Sequence, residues 1–90
     1  MIKLRLFSSL RDLAGTKEVE VEGDGIAITQ ALEALAARLG ESARPVLFDG
    51  NGDVWASILL LVNGDAAGEG PKTIVKSGDV VAVLLPTAGG

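Results

Sequence analysis

The chain has 90 residues, of which 48% are hydrophobic, and a formal net charge of −4. That is one small domain with an aliphatic core, since Phe7, Phe48 and Trp55 are its aromatic residues. It contains no Cys and no His, which excludes a disulfide, the usual zinc site, a thiol nucleophile and an imidazole base.

Ile2-Lys3-Leu4-Arg5-Leu6-Phe7 alternates apolar with charged residues, the period of a half-buried strand. Ile2, Leu4 and Leu6 take the inner face, and Phe7 falls on the outer face with Lys3 and Arg5. Residues 8–15, with Leu10 and Leu13 three apart, form a helical turn or an irregular loop. Glu18-Val19-Glu20-Val21-Glu22 alternates again, so the valines face inward and the glutamates form a solvated row. Carboxylates spaced along one extended strand do not converge on a metal.

Gly23-Asp24-Gly25 breaks the pattern, and it lacks the third glycine of a dinucleotide loop. Ile28, Leu32, Leu35 and Leu39 then fall at helical spacing, with Thr29 or a neighbour as the cap and Gly40 at a left-handed C-terminus. Thr29 has no Glu or Gln three positions later, so a full capping box is not expected there.

Val46-Leu47-Phe48 and Val54-Trp55 are strand-like pieces flanking Asp49-Gly50-Asn51-Gly52-Asp53. The Asp49, Asn51, Asp53 spacing echoes a calcium loop. It fails at the sixth position, Val54 instead of Gly, and at the twelfth, Leu60 instead of Glu. A tight Asn-Gly turn is the better reading.

Ser57-Ile58-Leu59-Leu60-Leu61-Val62 is apolar throughout, as in an inner strand covered on both faces or one exposing an apolar face. Asn63-Gly64-Asp65 closes it with a turn. A polar loop over residues 69–78 leads through Ser77-Gly78-Asp79 into a last strand, Val80-Val81-Ala82-Val83-Leu84-Leu85, apolar on both faces. The order predicts an α+β chain: a mixed sheet across one main helix, with the first and last strands paired in the middle. The helix covers one sheet face. The other face is either an apolar patch including Phe7, Leu59 and Leu61, or is covered by Lys3, Arg5 and the loop over residues 43–56.

Beyond the last strand stand Pro86, Thr87, Ala88, Gly89 and Gly90. The expected division is a folded domain over residues 1–85 and a tail over residues 86–90. Glycines carry no Cβ and pass through channels too narrow for a side chain. The α-carboxylate, with a reference pKa of roughly 3.3 to 3.7, is an anion at pH 7 able to attack an α-phosphate. Gly90 is thus the expected reacting residue. A basic groove with stacking aromatics is absent, so no nucleic-acid partner is expected. No apolar run reaches the length of a membrane span and Met1 opens a strand-like segment, so no membrane partner or signal peptide is expected, and the location expected is cytoplasmic.

Taken together, Ile2 to Phe7 followed by Leu10-Arg11-Asp12-Leu13-Ala14-Gly15, the single helix, Leu61-Val62-Asn63-Gly64, and Ser77-Gly78-Asp79-Val80-Val81 running into Leu85-Pro86-Thr87-Ala88-Gly89-Gly90 resemble the sulfur-carrier proteins of the β-grasp, ubiquitin-like fold. Within that group the chain is similar to the molybdopterin synthase small subunit and to the archaeal ubiquitin-like small modifiers. The resemblance implies a sheet of four to five strands on one helix and a free monomer that binds no cofactor. It implies that a ubiquitin-activating-type enzyme uses ATP to adenylate Gly90, for thiocarboxylation or for linkage to a target lysine. Gly89, Ala88, Thr87 and Pro86 would thread into the partner, and Phe7, Leu59 and Leu61 would dock it. The partners implied are the adenylating enzyme, and a molybdopterin synthase large subunit or target-protein lysines. The single proline and Ala88 depart from the commonest small-subunit tail, which carries two prolines and a serine. The hairpin-like segment over residues 47–55 is nearer the archaeal modifiers. A non-covalent interaction module on the same fold is the alternative, and a stand-alone hydrolase lacks a paired catalytic arrangement.

Overall fold

A computed structural model of the chain describes residues 1–86. Strand β1 (Ile2–Leu6) leads into the short helix α1 (Ser8–Ala14), and β2 (Glu18–Val21) returns antiparallel to β1. A two-residue strand β3 (Ile26–Ala27) enters the main helix α2 (Ile28–Leu39), and one helical turn, α3 (Arg44–Leu47), follows. Strands β4 (Leu59–Val62) and β5 (Asp65–Ala66) form a hairpin. A 3₁₀ turn at Gly70–Lys72, β6 (Ile74–Val75) and β7 (Val80–Leu84) complete the order.

The main sheet runs β2-β1-β7-β4-β5, and β1 and β7 lie parallel at its centre. This is the expected mixed sheet, with five strands. β3 and β6 form a separate two-stranded ribbon beside it. β1 and β2 pair antiparallel, and α1 fills the connection between them.

Alternation in the sequence decides what is buried. Ile2, Leu4 and Leu6 of β1, Val19 and Val21 of β2, Val81 and Val83 of β7 and Leu60 of β4 all face α2, which contributes Ile28, Ala31, Leu32 and Leu35. Those eleven aliphatic side chains and Ala31 meet no buried polar or charged residue among the described residues, so the core has no desolvated dipole to compensate. Burial of a Leu, Ile or Val side chain contributes about 1.5 to 3 kcal/mol, which makes the α2 stripe and the inward sheet face the main source of stability.

Two local expectations are corrected. The cap of α2 is Ala27, one residue before Ile28, and its N–H donates to Gln30 Oε1 at 3.0 Å. Ala27 has no side-chain acceptor, so only the returning half of a capping box forms. Thr29 instead donates from its hydroxyl to the Pro71 carbonyl at 3.0 Å and ties the helix to the 3₁₀ turn. Gly40 has the expected positive φ of 98°, but its ψ of 179° is extended and not left-handed helical.

The second correction is at Val46 and Leu47, which belong to the helical turn α3. Pro45 within its first turn fits a helix start, where a missing N–H costs nothing. The strand-like pairing reduces to a single bridge between Phe48 and Val54. Between them Asp49 Oδ1 accepts the N–H groups of Asn51 and Asp53 at 2.8 and 3.1 Å. The carboxylate therefore organises a turn. Among the described residues no group of three or more His, Cys, Asp or Glu is placed to hold a metal ion.

Candidate functional site: the outer sheet face and the root of the tail

The register across the sheet assembles the face opposite α2 row by row. Glu18, Arg5, Ala82, Leu61 and Ala66 stand side by side in one row; Glu20, Lys3 and Val80 form the next. Leu84 pairs with Leu59 in the row nearest the tail. The face therefore grades from acidic on β2 through basic on β1 to apolar on β7 and β4. Arg5 and Glu18 approach at 3.6 Å with both side chains about half exposed, an ion pair of small energetic weight.

Phe7, Leu59 and Leu61 are distributed unequally over this surface. Leu59 is exposed, at 52% of its full area, while Leu61 is half-buried within its row. Phe7 is half-buried as the N-cap residue of α1, and its extended backbone continues the outward alternation of β1. On the β4 side of the outer face Leu59 is left exposed, while Phe7 and Leu61 are partly covered. Leu84 belongs with these residues although sequence reasoning did not name it as a contact. The last strand was legible as apolar on both faces, but the Leu59 partner of Leu84 emerges only from the strand register.

Turn chemistry holds the apolar strands together. Asn63 and Gly64 have φ of 51° and 93°, the two positive values required by the two-residue turn joining β4 to β5. Asn63 Oδ1 accepts the Val80 N–H at 2.9 Å, and Asn63 Nδ2 donates to Asp79 Oδ1 at 3.1 Å. Asp79 Oδ2 accepts the Lys76 N–H at 2.8 Å. These donors hold the Asp79 carboxyl below its ordinary value, the Lys76 amide contributing most and Asn63 next.

At the other end of β7 the chain leaves the sheet. Leu85 is packed against the core and Pro86 is exposed. Thr87, Ala88, Gly89 and Gly90, expected to carry threading and reaction, lie outside the described residues. Leu85 and Pro86 border a groove of about 260 Å³ with Val46, Trp55, Ser57 and Ile58. A hollow of about 590 Å³ lies between β2 and the end of α2, where two of the charged side chains are engaged locally: Glu18 with Arg5, and Arg38 with the Glu20 carbonyl at 2.5 Å. No helix among the described residues is long and apolar enough to cross a membrane.

The ThiS family model matches residues 4–90. The chain is 36% identical over 91 residues to small archaeal modifier protein 1 of Haloferax volcanii, covering 96% of this chain and 97% of that one. The crystal structure of that protein superimposes with a TM-score of 0.85 at 29% identity, over 99% of this chain and 98% of the other. Small archaeal modifier protein 1 of Methanosarcina acetivorans gives 0.84 at 29% identity, over 99% and 95%. A Pyrococcus furiosus chain described as a putative molybdopterin converting factor, subunit 1, gives 0.72 at 28% identity, over 96% and 97%. The relatives are named as small archaeal modifier proteins and as a subunit of a molybdopterin converting factor. The chain therefore belongs to the ThiS family, a β-grasp protein of the ubiquitin-like sulfur-carrier and modifier class.

Proposed function

We propose that the chain acts through the carboxylate of Gly90, which a ubiquitin-activating-type enzyme adenylates. A carboxylate oxygen attacks the α-phosphorus of ATP, the bond to the pyrophosphate leaving group breaks, and Gly90 becomes an acyl-adenylate. Hydrosulfide then forms a C–S bond to the acyl carbon as the bond to AMP breaks, leaving a thiocarboxylate, or a lysine amine of a target protein displaces AMP with loss of a proton, leaving an amide. The ATP belongs to the enzyme, and this chain supplies the carboxyl group. The observation that carries the reading is the family match, which extends through the tail to residue 90.

In this reading residues 1–85 form the domain that is recognised, and residues 86–90 are the segment delivered in the cytoplasm. Pro86, Thr87, Ala88 and Gly89 thread, and Gly89 meets the narrowest point because it has no side chain. Phe7, Leu59 and Leu61, joined by Leu84, dock the activating enzyme and then either a molybdopterin synthase large subunit or the target protein. An apolar patch beside Lys3 and Arg5 fits a partner surface that is apolar with an acidic margin.

The test is mass spectrometry of the intact chain after incubation with ATP and the activating enzyme of the same genome, with and without a sulfur donor. Sulfur-for-oxygen exchange at Gly90, or a lysine-linked tail in digested targets, supports the reading. Binding that survives deletion of Gly89 and Gly90, with no modified form detected, points instead to a non-covalent interaction module.

A further inference from the structure

Trp55 is the one tryptophan of the chain, and it is 43% exposed. Its indole Nε1 donates to the Pro45 carbonyl at 2.8 Å, which satisfies the ring's polar group internally and fixes its orientation. What remains at the surface is apolar ring. An exposed aromatic ring that is already oriented loses little freedom when something packs on it, and tryptophan is enriched among residues that dominate binding energy.

The ring lines the groove together with Val46, Ser57, Ile58, Leu85 and Pro86. No charged side chain lines it. Its position is set by the sheet: Leu59 pairs with Leu84, so Ile58 and Leu85 are the residues immediately beyond that last pair. The groove is thus contiguous in the chain with the exposed Leu59 end of the outer face, and its rim is the first residue of the tail.

Gly90 lies four residues beyond Pro86, an extended span of at most about 13 to 14 Å. Any protein that encloses the carboxylate of Gly90 therefore works within that distance of Pro86, which borders the same groove as Trp55. We infer that the groove of Trp55, Val46, Ile58, Leu85 and Pro86 is a second docking point for the protein that activates Gly90, and that it receives an uncharged apolar side chain of that protein. This rests on the tail-activation reading above. It adds a contact at the tail root to the one on the sheet face, so that the body is gripped on both sides of the exit of the tail and the carboxylate is presented in one direction.

The test uses the full chain with Trp55 replaced biosynthetically by 5-fluorotryptophan, so that one fluorine signal reports this ring. The probe is the purified ubiquitin-activating-type enzyme of the same genome, and adenylation of Gly90 is followed by ATP–pyrophosphate exchange. The expected result is a shift of the fluorine line on adding enzyme, retained in a chain lacking Gly89 and Gly90. Trp55→Ala should raise KM for the chain about tenfold with kcat nearly unchanged, and Trp55→Phe should recover most of that loss, circular dichroism confirming that both variants fold. Adenylation at unchanged KM with an unmoved fluorine line overturns the groove proposal and leaves the tail reading intact. Failure of every variant, wild type included, to be adenylated overturns the tail reading and the groove proposal with it. A line that shifts without enzyme, on removing residues 87–90 or on raising the chain concentration, assigns the groove to the tail or to a second copy and overturns the proposal.

Discussion

Asn63 and Asp79, sixteen residues apart, are joined by a 3.1 Å hydrogen bond from the Asn63 carboxamide to the Asp79 carboxylate. The bond locks the β4-β5 turn to the start of β7, and Asn63 Oδ1 and Asp79 Oδ2 each accept a backbone N–H, from Val80 and Lys76. Asn63 also sits at a φ of 51°, where asparagine is tolerated and alanine is strained. Asn63→Ala should cost about 1 to 3 kcal/mol in urea unfolding, from two lost hydrogen bonds and backbone strain. Asn63→Gly removes the hydrogen bonds and relieves the strain, so its loss should be the smaller of the two. Equal losses would mean that backbone strain plays no part.

The same pair predicts an acid response. The Asp79 carboxyl is held below its ordinary 3.8 in the folded chain, chiefly by the Lys76 amide. A depressed folded pKa contributes stability that is present above the unfolded pKa and lost as pH falls through the folded one. Glu33, lowered from 4.5 mainly by its hydrogen bond from Arg44, acts in the same direction. Stability should therefore fall as pH drops from about 5 through the carboxylate range, and Asp79→Asn should make that fall shallower while lowering stability at pH 7. Parallel curves for the two proteins would remove Asp79 from the account.

Adjacent positions on β4 should behave oppositely. Leu60 is 4% exposed against α2 and Leu59 is 52% exposed on the outer face. Leu60→Ala should cost about 2 to 5 kcal/mol by leaving a cavity. Leu59→Ala should stay within about 0.5 kcal/mol. Thermal or urea unfolding of the two variants measures this directly, and a similar cost for both would contradict the assigned strand parity.

A charge on the outer face separates docking from folding. Leu59→Asp places a carboxylate at an exposed position, so the chain should unfold at nearly the wild-type urea concentration. Its binding to the activating enzyme should weaken at least tenfold, because a desolvated unpaired charge opposes an apolar contact. Calorimetric titration of enzyme with variant gives the answer, and wild-type affinity would remove the outer face from the docking surface.

Much of this was legible from residues alone because a sheet with one covered face writes its burial as alternation. Ile2, Leu4 and Leu6, and Val19 and Val21, were readable for that reason, as was the Asn63-Gly64 turn. Ile26-Ala27 and Asp65-Ala66 are two-residue strands, too short to show any period. Val46 and Leu47 misled because apolar neighbours fit a strand and a helical turn equally, and Pro45 as a helix start decided the matter. Thr29 misled because the helix begins one residue earlier, with Gln30 bonding back to Ala27. For the site, the outward position of Phe7 and the apolar character of Leu59 and Leu61 could be read locally. The pairing of Leu59 with Leu84, and Trp55 beside Leu85 and Pro86, depend on long-range register that no short window contains.

The central claim is that Gly90 carries the chemistry. Intact-mass measurement of the wild-type chain and of a chain lacking Gly90, each incubated with the activating enzyme, ATP and a sulfur donor, tests it most directly. Sulfur-for-oxygen exchange located at residue 90 of the wild type, and none in the shortened chain, is the predicted result. Equal modification of both chains, or of a site elsewhere in residues 1–86, would contradict it.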